Sequence, residues 1–398
     1  GQTFTETHKI IAADTEERDG FGHAVAISGN TAIVGAVLAS PNTYMGSAYL
    51  FDAATGTDLF ELSPNFAAPG DHFGYSVSIS GDIAIVGARS GSAGDGSGAA
   101  YLFDAATGNE LFKLTGSDTA PGDVFGHSVA IDGNLAIVGA IGHDSGGLSS
   151  AGSVYVFDVT TGTELFKFTA PDPGIESFFG YSVGISGNIA IVGAAQDDQG
   201  GLNAGAVYLF DVTTGDQLAK LIAPESAAGD FFGGAVAISG DKAIVGAGGY
   251  SDTGAAYLYD LSALTEVIQL TASDAMPFAA FGRSVGLSGN TAVVGAFRHG
   301  DPLGYSTYGS AYLFDATTGA ELAQLGASDS ELHDEFGNSV GISGSTAIVG
   351  AWKDDDAGFA SGSAYVYASP IPSPAALPAG LGLAGLLWLR RRMKADRP

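Results

Sequence analysis

One pattern of apolar and polar residues recurs seven times along the 398-residue chain. Each copy opens on the dipeptide Phe-Gly, and successive copies stand 49 to 55 residues apart. The phenylalanines of these dipeptides are Phe21, Phe73, Phe125, Phe179, Phe232, Phe281 and Phe336. The third copy reads FGHSVAIDGNLAIVGA, then a loop of variable sequence, then GSVYVFDVTTGTELFKFTAP. A repeat of this length predicts one array of equal structural units rather than several unrelated domains.

Within each copy the pattern predicts four β-strands. In the third copy these are residues 128–131, 135–138, 154–157 and 164–168. The first strand alternates in the manner of a half-buried strand, whereas the second is apolar throughout and is expected to be buried on both faces. Between them stands a Gly-Asn or Gly-Asp pair in six copies and Gly344-Ser345 in the seventh, which predicts a two-residue hairpin turn. The second strand ends on Gly-Ala, which removes side-chain bulk where neighbouring sheets should crowd together.

The two ends of the repeat array complement each other. Residues 8–11 precede the first Phe-Gly and align with a fourth strand, whereas the seventh copy stops after its third strand, 364–367. Pairing these segments would close a ring and remove an exposed sheet edge. We therefore predict an all-β domain over residues 1–368, a seven-bladed β-propeller of four-stranded antiparallel blades whose last blade is completed by the N-terminal strand. The alternative is an open β-solenoid, whose coils are usually shorter.

These residues resemble the FG-GAP repeat, the unit of the integrin α-subunit propeller and of many bacterial surface proteins. The resemblance covers residues 7–367 and rests on Phe-Gly at the start of each first strand and Val-Gly-Ala at the end of each second. The proline that gives the family its last letter is replaced in every copy, by Val37, Arg89, Ile141, Ala195, Gly248, Phe297 and Trp352. The resemblance implies a surface protein that binds its ligand at the face carrying the second-to-third and fourth-to-first strand loops.

The calcium site of integrin-like repeats is not expected here. In those repeats calcium lies in an Asp-rich loop between the first and second strands, and in this chain that loop has two residues in every copy. We therefore predict no metal site and no cofactor. Acidic runs do occur elsewhere, at Asp197-Asp198 and at residues 354–356, and they leave calcium as an alternative to plain solvated charge.

The net negative charge of the chain limits which kinds of partner it is expected to bind. The chain has 15 Lys and Arg against 43 Asp and Glu, a net charge of −28, and five of the basic residues lie within residues 390–398. A body this acidic repels phosphate backbones, so nucleic acid is not an expected partner. The chain contains no Cys, which excludes disulfides and a thiol nucleophile.

No arrangement of residues predicts a catalytic centre. Six aspartates begin the turn after the third strand, at Asp52, Asp104, Asp158, Asp211, Asp260 and Asp315, and three stand two residues before Phe-Gly, at Asp71, Asp123 and Asp230. Repetition at equivalent positions favours turn capping over an active site, which should break the symmetry. His23 and His127 share the position after Phe-Gly, which varies among copies and is expected to be exposed near one mouth of the ring. A polysaccharide-active enzyme with paired carboxylates is the minor alternative.

The loops between second and third strands differ most among the copies and should all emerge on one face. Aromatic and arginine side chains make strong interface contacts, so we single out those in these loops as candidates for ligand binding. They are Tyr44, Tyr250, Arg298, His299, Tyr305, Tyr308 and Trp352. The prediction is a non-catalytic binding or adhesion module for an extracellular protein or glycan. The alternatives are that these side chains only pack their own loops, and that the protein is a structural matrix or biofilm component without a specific ligand.

Residues 369–398 differ abruptly from the repeats. A Pro-rich linker leads into an uncharged apolar segment, 375–389, and then Arg390-Arg391-Arg392. This order predicts a short hydrophobic helix and is a membrane signal, although the segment is short for a full span. The tail resembles PEP-CTERM sorting signals, in particular the VPLPA variant, through residues 371–375. The resemblance implies export in a Gram-negative bacterium and processing by an exosortase-type enzyme that removes the anchor; no signal peptide is visible in the sequence.

Overall fold

The computed structural model describes residues 4–39, 43–65, 68–90, 95–225, 227–249, 253–300 and 307–369. These residues form 28 β-strands and no helix, and the strands are arranged in seven antiparallel sheets of four. Six sheets are made of consecutive strands, and the seventh has the order β1-β28-β27-β26. The predicted all-β, seven-bladed propeller is therefore confirmed. The expected C-terminal helix lies outside the described residues.

The blades follow one another along the chain. Blade 1 comprises β2 (Phe21–Ser28), β3 (Thr31–Ala36), β4 (Ser47–Asp52) and β5 (Thr57–Leu62). Blade 2 comprises β6 (Phe73–Ser80), β7 (Ile83–Ala88), β8 (Ala99–Asp104) and β9 (Glu110–Leu114). Blade 3 comprises β10 (Phe125–Asp132), β11 (Leu135–Ala140), β12 (Ser153–Asp158) and β13 (Thr163–Phe168). Blade 4 comprises β14 (Phe179–Ser186), β15 (Ile189–Ala194), β16 (Ala206–Asp211) and β17 (Gln217–Leu221).

The remaining blades repeat this order. Blade 5 comprises β18 (Ala235–Ser239), β19 (Lys242–Ala247), β20 (Ala255–Asp260) and β21 (Thr265–Leu270). Blade 6 comprises β22 (Ser284–Ser288), β23 (Thr291–Ala296), β24 (Ser310–Asp315) and β25 (Glu321–Leu325). Blade 7 comprises β26 (Ser339–Ser343), β27 (Thr346–Ala351), β28 (Ser363–Ala368) and β1 (Thr5–Ile10).

The ring is closed by the N-terminal strand. β1 pairs antiparallel with β28, from Thr5 opposite Ala368 to Ile10 opposite Ala364, and the register shifts once between Glu6 and His8. Ile10 is fully buried between blades 7 and 1. The predicted pairing is correct, although the strand spans residues 5–10 rather than 8–11.

The apolar faces of the blades pack against each other in seven clusters, one at each interface between neighbouring blades. The phenylalanine of each Phe-Gly is buried at such an interface. Phe125, for example, lies 5.4 Å from Tyr155 and 6.0 Å from Phe157, ring centre to ring centre. Second strands are buried on both faces in every blade, as their continuous apolar sequence predicts, and third strands are buried in the same way.

The glycine of Phe-Gly allows adjacent blades to touch through their backbones. Gly126 has a φ of 85°, and a Cβ there would lie 2.2 Å from the carbonyl oxygen of Ala99 in blade 2. Gly87, near the end of β7, lies against Gly126 in the same way. A Cβ added at Gly87 would lie 2.2 Å from the carbonyl oxygen of Gly126. In blades 1 to 4 the first strand begins at Phe-Gly with a bulge, three residues earlier than the sequence pattern indicates, whereas in blades 5 to 7 it begins three residues after the phenylalanine.

The hairpin turns between first and second strands form a second closed ring. The glycine N–H of each turn donates a hydrogen bond of 2.7 to 3.2 Å to a side chain of the preceding blade. The acceptors are Ser343, Ser28, Ser80, Asp132, Ser186, Ser239 and Ser288 in blade order. We call this end of the propeller the turn face and the opposite end the loop face.

Most of the repeated aspartates cap turns, as predicted. Asp104 Oδ1, for example, accepts hydrogen bonds from the N–H groups of Ala106 and Thr107. The aspartate two residues before Phe-Gly accepts one from the N–H three residues earlier, and the structure adds two members to the three predicted. The five are Asp19, Asp71, Asp123, Asp230 and Asp334.

Asp334 provides a pH-dependent test of this capping position. Burial raises its pKa to about 6, and the negative charges of Asp354, Asp355 and Glu331 add to that shift. A carboxyl whose pKa rises on folding stabilises the fold at low pH and loses that contribution as the pH rises from about 4 to about 6. We expect Asp334→Asn, which still accepts the Glu331 N–H bond, to be more stable than wild type at pH 7, with the gain fading by pH 4.

Urea unfolding at the two pH values measures this gain. Asp82→Asn, in an exposed hairpin turn, controls for the loss of one negative charge. An equal gain in both variants, or a gain independent of pH, would contradict the assignment.

Candidate functional site

The loops between second and third strands lie on the loop face, beside the loops that join each blade to the next. Backbone hydrogen bonds tie the two sets together, such as Arg18 N–H to Phe359 O and Leu38 N–H to Asp19 O. This is the face that the sequence marks as variable. Of the candidate ligand residues, Tyr250 and Tyr305 lie outside the described residues.

The other candidates fall into two groups. Tyr44 and Tyr308 project from loops of blades 1 and 6, and 49% and 42% of their surfaces are exposed. Arg298 packs against the ring of Phe297. His299 is largely buried, because its Nδ1 lies 3.1 Å from Ser310 Oγ and its Nε2 lies 3.2 Å from Asp274 Oδ2. Tyr44, Tyr308 and Arg298 are thus available at the surface of the loops, whereas His299 belongs to an interface between blades.

Trp352 belongs to a continuous series of rings around the channel mouth. Its ring meets His23 edge-on at 5.7 Å, and the series continues through Tyr75, His127 and Tyr181 at centre-to-centre distances of 5.0 to 5.2 Å. The last four occupy the position after Phe-Gly in blades 1 to 4. They line the central channel near the loop face, where the first strands of all seven blades meet.

The expectation that this position is exposed is therefore corrected. His127 is only 9% exposed, and the other three rings are half-buried, because each ring packs at a tilt against those of the neighbouring blades. Burial lowers the pKa of His23 to about 4 and that of His127 to about 3, and the positive charges of Arg89 and Arg283 add to both shifts. Both imidazoles are therefore uncharged at neutral pH.

Two arginines complete the channel mouth. The Arg89 guanidinium lies 4.1 Å from the centre of the Tyr75 ring, a cation–π contact. Arg283 takes the position after Phe-Gly in blade 6 and lines both the channel and an adjoining cavity of about 180 Å³, together with Tyr181 and Gln196. A protein of net charge −28 thus carries a positively charged, ring-lined recess at the centre of its loop face.

A second feature repeats in the clefts between neighbouring blades. In the cleft between blades 3 and 4, the Tyr208 hydroxyl donates to Asp172 at 2.8 Å, and Lys220 Nζ lies 2.8 Å from Asp172 and 3.0 Å from Asp197. Lys167 lies between Asp118 and His143 in the cleft between blades 2 and 3.

The cleft between blades 6 and 7 is filled in the same way. Lys9 contacts Asp329, Asp354 and Asp356, and the Tyr365 hydroxyl lies within hydrogen-bond distance of the first two. The two acidic runs considered for calcium thus each contribute a carboxylate to a lysine of the chain.

Within the described ranges, no group of three or more His, Asp or Glu side chains is arranged to hold a metal ion. The described part of the chain also contains no helix that could cross a membrane.

Those candidates from the sequence that the structure describes lie in the loops of the loop face, and only Trp352 among them reaches the channel mouth. Tyr75, Tyr181, Arg89 and Arg283 were not among the candidates, and His23 and His127 were expected only to be exposed near one mouth of the ring. One signal was available, because the position after Phe-Gly reads His, Tyr, His and Tyr in four consecutive copies.

Comparison with known proteins agrees with this architecture. The family model described as FG-GAP repeat matches seven segments, residues 4–51, 59–103, 109–157, 163–210, 216–259, 264–314 and 320–367. A comparison with curated proteins finds no match. The seven matched segments cover most of the chain, and each runs from the fourth strand of one blade through the first three strands of the next.

Proposed function

Because the chain belongs to the FG-GAP repeat family, we propose that it is a non-catalytic binding module of an exported protein and that it binds an acidic sugar at the channel mouth. FG-GAP repeats are typical of extracellular and surface proteins. The observation that carries the proposal is the series of mutually tilted rings from Trp352 to Tyr181, flanked by Arg89 and Arg283.

The chemistry of the mouth suits a carboxylated sugar. Flat ring faces offer apolar area to the C–H face of a pyranose, and an arginine fork can hold a carboxylate through two parallel hydrogen bonds. The imidazoles of His23 and His127 are uncharged at neutral pH, so they do not compete with the two arginines for a carboxylate or repel one another.

The negative charge of the propeller limits the length of the acidic ligand that can bind at the channel mouth. Exposed charges are largely screened beyond about 10 Å at physiological salt, so a single acidic residue at the mouth interacts mainly with the two arginines. A long polyanion would also lie along the acidic rim. Terminal or short uronate-containing oligosaccharides are therefore the expected ligands.

The test is a glycan array followed by titration calorimetry. We expect a uronate-terminated oligosaccharide to bind wild type, and the double variant Arg89→Ala/Arg283→Ala to bind it at least tenfold more weakly, which corresponds to about 1.4 kcal/mol. Arg18→Ala is the matched control, because Arg18 lies on the loop face with its side chain 65% exposed.

Three outcomes would contradict the proposal. They are the absence of binding to any acidic glycan, an equal loss in the Arg18 control, and turnover of the oligosaccharide. Turnover of the oligosaccharide would show that the protein is an enzyme.

A further inference from the structure

The cleft between blades 7 and 1 differs from the lysine-filled clefts in two residues, Glu61 and Ala39, the second of which replaces His143, Asp197 or Asp354. In the clefts 2/3, 3/4 and 6/7, the lysine is the cross-strand partner of the buried tyrosine, as Lys167 is of Tyr155, Lys220 of Tyr208 and Lys9 of Tyr365. In the cleft 7/1 the partner of Tyr49 is Glu61. Lys113 is likewise the partner of Tyr101 in the cleft 1/2, so a carboxylate stands where four other clefts place an ammonium.

The other groups of this cleft are acidic as well. The Tyr49 hydroxyl lies 3.3 Å from Asp14 Oδ2, and Glu61 Oε1 accepts a 3.1 Å hydrogen bond from Ser47. Together with Glu16, Asp19 and Ala39 these side chains line a cavity of about 180 Å³. Four carboxylates thus face a space that contains no basic side chain among its lining residues.

Asp19 supplies an independent sign that a donor belongs there. It is 4% exposed, its Oδ2 accepts the Glu16 N–H, and its buried Oδ1 has no hydrogen-bond partner. Burial raises its pKa, and the neighbouring charges that add to the shift are Glu16 and Asp14. The equivalent Asp71 in blade 2 also has an unpartnered Oδ1, but there the positive charge of Lys113 opposes the effect of burial.

We propose that the cleft between blades 7 and 1 binds an alkylammonium group, in the place that a lysine of the chain fills in four other clefts. The group is either the lysine side chain of a partner protein or a free alkylamine. Three hydrogen-bond donors on one nitrogen match the carboxylates of Asp14, Asp19 and Glu61. This site is separate from the channel mouth and does not depend on the acidic-sugar proposal.

The decisive variant is Glu61→Lys, which recreates the arrangement of the lysine-filled clefts. Wild type should bind n-butylamine and Nα-acetyl-lysine methylamide in ligand-observed NMR titrations at low salt. The variant should bind both at least tenfold more weakly and unfold at a higher temperature than wild type, because its own ammonium occupies the cleft. Asp82→Lys makes the same charge change on the turn face and should bind both probes as wild type does.

A second variant separates loss of binding from loss of folding. Asp19→Asn removes one carboxylate without adding an ammonium and should weaken amine binding at least threefold. Tighter binding of the lysine derivative would indicate a partner protein, and tighter binding of butylamine a free amine; either supports the site. The proposal is overturned if wild type binds neither amine, if Asp82→Lys loses binding equally, or if CaCl₂ but not the amines binds in a Glu61-dependent manner.

The two proposals can fail independently. Glu61→Lys should bind the uronate-terminated oligosaccharide as wild type does. The Arg89→Ala/Arg283→Ala variant should bind butylamine as wild type does. A loss of both ligands in either variant would indicate general damage to the loop face and would overturn the assignment of two sites.

Discussion

A chain shortened to begin at Ala12 should lose the cooperative unfolding transition of the intact propeller. It lacks β1, so blade 7 keeps three strands, β28 becomes an open edge, and the interface that buries Ile10 between blades 7 and 1 is left incomplete. An unpaired edge of this length also promotes aggregation. Thermal unfolding by circular dichroism and size-exclusion chromatography measure the effect, with a chain that begins at Phe4 as the matched control.

Two further measurements keep this prediction testable if the short chain is insoluble. Ile10→Ala should lower the free energy of unfolding by about 3 kcal/mol, because it leaves a cavity at a fully buried site. A peptide of residues 4–12 should bind the short chain by adding a strand to β28, whereas a scrambled peptide should not. A short chain that unfolds at the same temperature as the control would refute closure by β1.

The second large effect is expected from Gly126→Ala. The new methyl group would meet the backbone oxygen of Ala99, which no side-chain rotation can move away, and alanine is strained at a φ of 85°. Blades 2 and 3 would have to separate. We expect a loss of about 3 kcal/mol or more in the free energy of unfolding, measured by urea denaturation.

Gly133→Ala separates the effect of backbone strain from the effect of contact between blades, within the same blade. Gly133 also has a positive φ, of 55°, but a Cβ there has no atom within 4 Å. This variant should cost only about 1 kcal/mol, the strain of a left-handed residue. Similar losses in both variants would mean that backbone strain, and not contact between blades, accounts for the glycine of Phe-Gly.

The number of blades and their closure could be predicted from the sequence because both depend on local patterns. Each of these patterns determines a strand or a turn within about ten residues. They are the alternation of apolar and polar residues in the first strand, the hairpin glycines and the continuous apolar second strand. The surplus strand at one end and the missing strand at the other then leave one pairing that gives every blade four strands.

The channel mouth could not be predicted in the same way. Whether the side chain after Phe-Gly is exposed depends on its counterparts some 50 residues away, because His23 is covered by Tyr75 and by Trp352. The exchange of lysine for Glu61 is visible in the sequence, but its meaning depends on knowing that this position pairs with the buried tyrosine. Contacts between blades therefore determine the surroundings of the side chains at the channel mouth and in the cleft between blades 7 and 1.

The pairing of β1 with β28 also determines at which face of the propeller the two chain ends lie. Because Thr5 lies opposite Ala368, the chain enters and leaves the ring side by side, and the N–H of Ser369 is bonded to Ser345 in a hairpin turn of the turn face. Both ends of the described chain therefore lie at the turn face, opposite the channel mouth. Because β1 and β28 end at the same face, tension between Phe4 and Ser369 would break the hydrogen bonds between these two strands one after another, starting at Thr5.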